Sequence, residues 1–303
     1  MMRLIAAALA VGSWVLAVGN GGPVGRRVDI GGRGLHLVCV GSGFPTVVFE
    51  SGAADGFYTW WLVQNELRST VRTCSYDRAG FGWSDPTPSR SMAGYVDDLH
   101  ELLHRAGEKP PFIMVGHSMG GSLVQRYYWR YPAEVRGIVA VDPLNAESSV
   151  APFPEMAEAV KTHRARRTKE MEQWRANNSW PVQDFPSELP RELRDRLIAR
   201  STTPAWWEAR FAEGALPDLD LAMTAEQRRI NVPLTVITAT KWSKPPGWSD
   251  ETMARYRKRW RDAHDEIASR SPKSRMVKTE TGHEVPMEAP KLIADEIRKM
   301  IGR

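Results

Sequence analysis

The sequence predicts an α/β fold in which a mostly parallel sheet of eight strands is flanked by helices. Short apolar runs with the pattern of buried strands alternate with amphipathic helix patterns through most of the 303 residues. That order is expected of a parallel sheet with crossover helices. One run, residues 112–117, leads through a glycine-containing turn into a helix pattern over 119–131. With 42% hydrophobic and 25% charged residues, the composition is that of an ordinary folded domain with a large core.

The first residues differ from the rest of the chain. Met1-Met2-Arg3 precedes an apolar run over residues 4–18, and a stretch rich in glycine follows. A positive tip, a short apolar core and a tail of small residues are typical of an export signal, and the run is short for a membrane span. We therefore expect residues 1–22 to be a signal peptide or an N-terminal anchor, and the protein to be periplasmic, secreted or membrane-anchored. A cytoplasmic product from an internal start codon is the third alternative.

The predicted core begins with a hairpin and then alternates, with strands or helices assigned to residues 24–31, 35–40, 46–50, 60–67 and 71–76. Small residues fill the loop at 51–56, where backbone N–H groups can approach a bound atom. A glycine-rich loop follows at 77–85. In that loop we interpret Asp77 and Arg78 as a structural ion pair rather than as catalytic groups.

The strand that follows the turn at residue 118 ends in an acid. A helix pattern over 92–106 and the strand at 112–117 come first, and the next strand, 135–141, ends in Asp142. Ligands of α/β sheets gather at the carboxyl ends of the strands. This position therefore indicates a side chain delivered to a site.

Residues 146–230 break the alternation of strands and helices. Their patterns are helical and punctuated by proline and tryptophan, at 155–177, 188–201, 204–213 and 224–229. The alternation then resumes, with strands and helices at 233–240, 251–269, 275–278 and 290–301. We therefore expect an α/β core at residues 23–145 and 231–303, with an inserted helical cap at 146–230.

The stretch around Ser118 has the sequence Gly-x-Ser-x-Gly between a strand and a helix. In that context the serine lies on a sharp, strained turn that exposes its hydroxyl. Side chains two residues away on either side would collide, which explains Gly116 and Gly120. The N-terminus of the following helix favours negative charge at this point. Ser118 is thus the candidate nucleophile.

A serine hydroxyl needs a base within hydrogen-bonding reach to act as a nucleophile at neutral pH. Of the seven histidines, His283 lies in a loop after the final strand and comes last in the chain. The order Ser…Asp…His along the chain is typical of sites in which the serine lies on a turn between a strand and a helix. His117 adjoins the nucleophile, and we interpret it as a packed residue. His283 is therefore the candidate base.

The base needs a carboxylate that orients its ring. Asp142 stands directly at the tip of its strand, whereas the strand at 233–240 ends without an acid and the next candidate, Asp250, comes well after it. We assign the acid to Asp142, with Asp250 as the alternative. The substrate oxyanion needs two backbone donors. We expect them to be the N–H groups of Met119 and of Ala53, with Ala54 as the alternative to Ala53.

Three motifs together resemble the α/β-hydrolase superfamily over residues 28–301. They are Gly-His-Ser-Met-Gly-Gly at 116–121, Tyr-Asp-Arg-Ala-Gly-Phe-Gly-Trp-Ser-Asp at 76–85 and Gly-His-Glu-Val-Pro at 282–286. The resemblance implies the α/β-hydrolase fold with its eight-stranded sheet. Some members take their acid after the strand that follows the nucleophile and others after the next strand; the missing acid near Lys241 implies that this chain resembles the first group.

The same resemblance bears on the two cysteines. The most similar subgroup has Tyr-Cys before the oxyanion loop and Cys-x-Tyr-Asp-Arg after it. Here the first pair is Val38-Cys39, a small departure, and the second motif begins at Cys74. Family topology makes the two strands neighbours, which implies a Cys39–Cys74 disulfide in an exported protein. Buried thiols are the alternative in a cytoplasmic one.

Taken together, these residues indicate a serine hydrolase that cleaves a small-molecule ester through an acyl-enzyme and needs no metal or cofactor. Tryptophans and methionines in the predicted cap favour a substrate with an apolar group, although core packing explains the same residues. Cleavage of amide or C–C bonds, acyl transfer, a ligand receptor without turnover and a membrane-tethered interaction protein remain alternatives. The net charge of +5 is scattered over the helices and no nucleic-acid motif is present, so we expect no nucleic-acid partner.

Overall fold

The computed structural model describes residues 24–88, 90–144, 154–214, 229–244 and 248–302. The predicted signal or anchor at residues 1–22 lies outside these described residues. Eight strands occur within them: β1 (Arg26–Asp29), β2 (Gly34–Val40), β3 (Val47–Glu50), β4 (Thr73–Tyr76), β5 (Phe112–His117), β6 (Val135–Val141), β7 (Leu234–Ala239) and β8 (Ser274–Thr279).

The strands form one sheet in the order β1-β2-β4-β3-β5-β6-β7-β8. β2 pairs antiparallel with both β1 and β4, and every other neighbouring pair is parallel. The predicted mostly parallel, eight-stranded sheet is therefore confirmed. β1 is shorter than the predicted strand 24–31, because Gly25 and Gly31 flank it with φ of 93° and 103°, outside the extended region.

The helices of the described residues are α1 (Trp61–Leu67), α2 (Met92–Ala106), α3 (Met119–Arg130), α4 (Pro154–Asn177), α5 (Arg191–Ser201), α6 (Pro204–Gly214), α7 (Asp250–Ser269), α8 (Val285–Glu288) and α9 (Pro290–Ile301). Short 3-10 turns lie at Phe57–Trp60 and Pro132–Glu134. None of the described helices is long and apolar enough to cross a membrane.

Helices cover both faces of the sheet, and β5 lies between two apolar layers. Phe112 and Met114 pack into the layer beneath α2, α3 and α7, whereas Ile113 and Val115 face the layer beneath α1 and α9. This alternation follows from the two-residue period of a strand. All six residues of β5 are buried, so the strand that leads to Ser118 is held rigidly.

Helix α2 begins and ends at recognisable capping residues. The Ser91 side chain accepts a hydrogen bond from the Gly94 N–H, and Gly107 ends the helix with φ of 80°, a left-handed conformation that favours glycine. Its buried residues lie at helical spacing, at 92, 95, 96, 99, 102 and 103. Residues 100 and 104 therefore lie off the buried face.

Helices α4, α5 and α6 lie between β6 and β7 in the chain. α5 begins at Arg191 rather than at the predicted residue 188, because Pro190 disfavours helical backbone at the residue before it. Leu193 and Leu197 of α5 and Trp206 of α6 pack against Phe57 and other residues that follow β3. The predicted helix at 224–229 falls almost entirely outside the described residues, and the domain boundaries stay a prediction.

Cys39 on β2 and Cys74 on β4 are direct partners in the antiparallel register of the two strands. The structure joins them in a disulfide. The bridge closes a segment that contains β3, α1 and the loop of small residues at 51–56. It therefore connects the two strands that flank this part of the chain.

Candidate active site

Ser118 lies at the turn between β5 and α3 with φ of 52° and ψ of −119°, a strained conformation for a residue with a side chain. A Cβ atom on Gly116 would lie 2.2 Å from the Gly120 carbonyl oxygen, and one on Gly120 would lie 2.3 Å from that of Glu50. Side chains are therefore excluded at both positions, as the sequence pattern predicts. Close contact at Gly120 also brings the start of α3 against the end of β3.

The Ser118 hydroxyl oxygen lies 3.0 Å from Nε2 of His283, and Nδ1 of the same ring lies 2.6 Å from Oδ2 of Asp142. These residues come from three separate positions: the β5–α3 turn, the loop after β8, and the end of β6. The structure thus brings together the predicted nucleophile, base and acid. An ionised carboxylate only accepts hydrogen bonds, so Nδ1–H donates to Asp142 and Nε2 is left to accept the serine proton.

Asp142 is fully buried, and both of its carboxylate oxygens are bound. Oδ1 accepts hydrogen bonds from the Ala239 backbone N–H at 2.9 Å and from the Trp260 indole N–H at 3.0 Å. The second oxygen faces His283. These bonds hold the carboxylate plane, and with it the imidazole ring, in one orientation.

Backbone hydrogen bonds also connect Ser118 to the segment that bears Asp142. The Ser118 N–H donates to the Val141 carbonyl oxygen at 3.0 Å, and the Leu144 N–H donates to the Ser118 carbonyl oxygen at 2.8 Å. Val141 and Leu144 flank Asp142 in the chain. Ser118 and Asp142 therefore belong to one hydrogen-bonded unit.

Electrostatics favour a His283 that readily takes up a proton. Burial lowers the pKa of His283, but the hydrogen bond and the negative charge of Asp142 outweigh burial, and the net pKa is raised above 6.5. The Trp242 and Trp260 rings pack beside the imidazole, with centroids 4.9 Å and 5.7 Å away. The base is shielded on that side by aromatic surface.

His117 is a packed residue in the structure, as expected. It is 1% exposed, and its Nε2–H donates to the His283 carbonyl oxygen at 2.8 Å. Burial, followed by the positive charge of His283, lowers its pKa to about 3. A neutral His117 thus supports the backbone of the base without exchanging protons near neutral pH.

The two predicted oxyanion donors come from the start of α3 and from the loop after β3. Met119 begins α3 directly after Ser118, and Ala53 lies in the loop after β3, against which Gly120 packs. The next N–H in that loop, that of Ala54, donates to a Glu213 carboxylate oxygen at 2.5 Å. Because Ala54 is engaged, Ala53 remains the candidate from this loop.

A buried ion cluster holds the loop after β3, and it corrects one expectation. Arg78 does not pair with Asp77. Its guanidinium donates to Glu50 at 2.7 Å, to Glu213 at 2.9 Å and to the Ser51 and Gly52 carbonyl oxygens. Arg78 therefore links the end of β3, the loop at 51–56 (the candidate oxyanion loop) and α6.

Asp77 serves a different part of the site. It accepts hydrogen bonds from the His36 ring at 2.7 Å and from the backbone N–H groups of Phe57 and Trp83 at 3.0 Å and 3.2 Å. These bonds connect the 3-10 turn at Phe57–Trp60 to the glycine-rich loop at 77–85. The role of Asp77 is structural, as expected, but its partners are a histidine and the backbone instead of Arg78.

Asp250, the alternative acid, lies in the first turn of α7. Its carboxylate is exposed and binds Lys244 at 2.6 Å. Asp142 rather than Asp250 takes the hydrogen bond of His283. The sequence pattern did not reveal Glu213, because it contacts the loop after β3 from 159 residues further along the chain.

A cavity of about 430 Å³ adjoins the candidate oxyanion loop. It lies between that loop and the helices α4 and α6, and is lined by Ala54, Arg164, Arg167, Thr168, Arg210, Phe211 and Gly214. Its volume is in the range of pockets that hold small molecules. Three arginines in the lining give it positive charge beside apolar surface.

Comparison with known proteins agrees with this architecture. The first curated relatives are matched over only 26 to 41% of their own length. One of them, the Bacillus subtilis protein named YbdG, is 30% identical over 129 residues, which are 39% of this chain and 37% of that protein.

Two solved structures share the fold. An esterase from Thermogutta terrifontis with malate bound has a TM-score of 0.59 at 22% identity, over 89% of this chain and 93% of that one. A Bacillus megaterium epoxide hydrolase with an inhibitor has a TM-score of 0.65 at 14% identity, over 92% of this chain and all of that one. The model of the alpha/beta hydrolase family matches residues 37–296. This chain therefore belongs to the α/β-hydrolase family.

Proposed function

We propose that this protein is a serine hydrolase that cleaves carboxylic esters through a Ser118–His283–Asp142 triad. One observation carries the proposal: the hydroxyl, the imidazole and the carboxylate form two consecutive hydrogen bonds of 3.0 Å and 2.6 Å. The serine lies on a strained turn at a helix N-terminus, where its hydroxyl meets the base and developing negative charge is favoured.

Each residue has a distinct role in the proposed reaction. Ser118 Oγ attacks the ester carbonyl carbon while His283 Nε2 takes the hydroxyl proton, and Asp142 stabilises the imidazolium that forms. The N–H groups of Met119 and Ala53 bind the oxyanion. His283 then protonates the leaving alcohol, and an acyl-enzyme remains. Water, deprotonated by His283, attacks this intermediate and releases the acid.

The identity of the nucleophile separates this proposal from the chemistry of the epoxide hydrolase with the same fold. Opening an epoxide through a covalent intermediate requires a carboxylate nucleophile that forms an alkyl ester. The corresponding position here is Ser118, which forms an acyl ester instead. Amide or C–C hydrolysis and acyl transfer use the same serine chemistry and are outcomes of the substrate screen below.

The cavity beside Ala54 supports a substrate of small-molecule size with an apolar group. Phe211 and Gly214 supply apolar surface, whereas Arg164, Arg167 and Arg210 bring positive charge to the same lining. We therefore propose an ester whose acyl or alcohol part is apolar. A carboxylate elsewhere on the substrate would also suit this lining.

Labelling with a fluorophosphonate tests the nucleophile. We expect the wild-type protein to be labelled and Ser118→Ala not to be labelled. Ser187→Ala, which removes an exposed serine, is the matched control and should label normally. Labelling that persists in Ser118→Ala would refute the assignment.

A series of p-nitrophenyl esters of increasing acyl length tests the reaction. Hydrolysis by the wild type with loss in Ser118→Ala supports the proposal. Tight ligand binding without turnover would favour a receptor instead, and turnover of amides in preference to esters would change the substrate class.

We also propose that residues 1–22 direct export, with membrane anchoring as the alternative. The disulfide between Cys39 and Cys74 supports an oxidising compartment. Mass spectrometry of the native protein, with and without reductant, tests both points through the N-terminal residue and the thiol count. A cytoplasmic protein with two free thiols would refute export, and an intact N-terminus that sediments with membranes would favour the anchor.

A further inference from the structure

Two histidines of α2, which are not among its fully buried residues, contact the same carboxylate. His100 and His104 are one helical turn apart, and Glu134 ends the 3-10 turn before β6. The Nε2 atoms of both rings face the same Glu134 oxygen, Oε1, at 3.2 Å and 2.9 Å. All three candidate ligand atoms lie within 4.8 Å of one another. This cluster belongs to the face of α2 next to α3, and the proposed triad does not use it.

We propose that His100, His104 and Glu134 form a binding site for a divalent metal ion of the zinc type. Two histidines at i and i+4 share one helix face, and a third ligand from elsewhere in the chain completes a common zinc-binding set. With metal–ligand bonds of about 2.0–2.1 Å, tetrahedral geometry separates neighbouring ligand atoms by about 3.3 Å. The observed separations of 3.2 Å and 2.9 Å need only a small expansion.

The surroundings orient the ligands as in established metal sites. The Tyr127 hydroxyl donates a hydrogen bond at 2.7 Å to Oε2 of Glu134, the oxygen that does not face the histidines. The His100 ring stacks on Tyr131, with centroids 3.8 Å apart and planes 13° apart. Such partners fix the orientation of a carboxylate or imidazole ligand and raise metal affinity.

The site is accessible to an ion and to a further ligand. The His100 and His104 side chains are 25% and 42% exposed, whereas that of Glu134 is 17% exposed. The opposite face of α2 is buried, which keeps the two histidines in place. A bound ion would connect α2 to the turn that leads into β6, with water as its fourth ligand.

The sequence of this turn of helix, His-Glu-Leu-Leu-His at 100–104, matches a pattern that also occurs in zinc peptidases, where the glutamate acts as a general base. Here Glu101 binds Arg105 at 2.6 Å on the exposed side of α2. The glutamate is therefore engaged elsewhere, and we assign the site a structural role. This differs from the expectation, drawn from sequence, that the chain holds no metal.

A second cluster, near the proposed triad, is another candidate metal site, and the experiment must distinguish it from the site on α2. Asp55, His117 and Glu284 also place ligand atoms within 4.8 Å of one another. Of the two clusters, only the one on α2 has two imidazoles. A variant at His117 therefore distinguishes the two locations.

Titration of the untagged, full-length protein with Zn²⁺ by calorimetry, and with Co²⁺ by absorption, tests the proposal. We expect one Zn²⁺ per chain at this site and the intense visible bands of tetrahedral Co²⁺. His104→Ala and Glu134→Gln should each weaken binding by more than about tenfold, since loss of even an orienting partner costs ten- to a hundredfold. Glu101→Gln, in the same helix, should bind normally.

Thermal unfolding supplies a second readout. Zn²⁺ should raise the Tm of the wild type but not that of His104→Ala, because an ion that binds only the folded chain stabilises it. His104 is exposed enough for the variant to fold, and its ester hydrolysis should match the wild type. Absence of Zn²⁺ binding, or binding that survives in His104→Ala and disappears in His117→Ala, would overturn the proposal.

Discussion

Arg78 and Glu213 form a buried ion pair that joins the α/β core to α6, with Nε of the guanidinium 2.9 Å from the carboxylate and both side chains at most 1% exposed. The same carboxylate accepts the Ala54 N–H. Removing one partner of a buried pair leaves an uncompensated charge in the interior. The pair therefore affects both folding stability and the shape of the candidate oxyanion loop.

We predict that Glu213→Gln lowers the free energy of unfolding by about 3–5 kcal/mol, the usual cost of breaking a buried pair. It should also reduce kcat, by up to about a hundredfold, because small displacements of catalytic groups are costly. Chemical denaturation and ester hydrolysis measure the two effects. Glu208→Gln, which removes an exposed carboxylate from the same helix, should change the free energy by less than about 1 kcal/mol.

Asp142→Asn should reduce kcat by about 10⁴-fold, since an amide favours the wrong tautomer of the base. His283→Ala should be at least as damaging. Asp250→Asn, which removes the exposed partner of Lys244, is the matched control and should retain wild-type turnover. If Asp250→Asn proved the more harmful aspartate variant, the acid would have to be assigned to the start of α7.

The pH profile of kcat/KM should report the state of His283. The base must be neutral to accept the serine proton, so activity falls as the pH drops through its pKa. Because Asp142 raises that pKa above 6.5, the acid limb should have its midpoint above pH 6.5. The residual activity of Asp142→Asn should show a midpoint at lower pH, and an unchanged midpoint would contradict the role of the carboxylate.

His117 should make the fold sensitive to acid. Its pKa is lowered to about 3 by burial and by His283, whereas the unfolded chain takes up a proton near pH 6.5. Its contribution to stability is present above pH 6.5 and is lost as the pH falls towards 3, by about 1.4 kcal/mol per pH unit. Denaturation from pH 7 to 4 should show a shallower decline in His117→Ala than in the wild type, and parallel declines would refute this prediction.

The disulfide should stabilise the protein mainly through the unfolded chain. Cys39 and Cys74 are separated by 35 residues, and closing a loop of that length contributes about 4 kcal/mol in the chain-entropy estimate. The double variant Cys39→Ser/Cys74→Ser should lose a free energy of unfolding of that order. Reductant should destabilise the wild type and leave the double variant unchanged, which provides the internal control.

Local sequence patterns predicted the sheet, and they also selected the three residues that the structure brings together, because each has a short-range signal. The apolar runs define the strands. Ser118 and Asp142 come directly after strands β5 and β6, and His283 lies in the loop that follows β8. The start of α5 was predicted at residue 188, whereas the helix begins at Arg191. Pro190 disfavours helical backbone at the residue before it. Boundaries of this kind depend on single residues.

The contacts between distant parts of the chain could not be predicted. Nothing local to Glu213 indicates that it meets Arg78 across 135 residues, and the adjacency of Asp77 and Arg78 in the sequence suggested a pair that does not form. Similarly, the spacing of His100 and His104 is visible in the sequence, but the approach of Glu134 depends on how the 3-10 turn packs beside α2. Such contacts require the folded chain.

The backbone bonds that join Ser118 to Val141 and Leu144 have a consequence for how this fold tolerates variation. These bonds hold Ser118 and Asp142 in one unit, so only the segment that bears His283 has to be docked onto them. Apart from Glu213, which binds Arg78 and Ala54, the segment between β6 and β7 can then change in length or sequence while the distance between Ser118 and Asp142 stays constant. In the proposed hydrolase, substitutions elsewhere in that segment would therefore change the choice of substrate and leave the pairing of serine and aspartate intact.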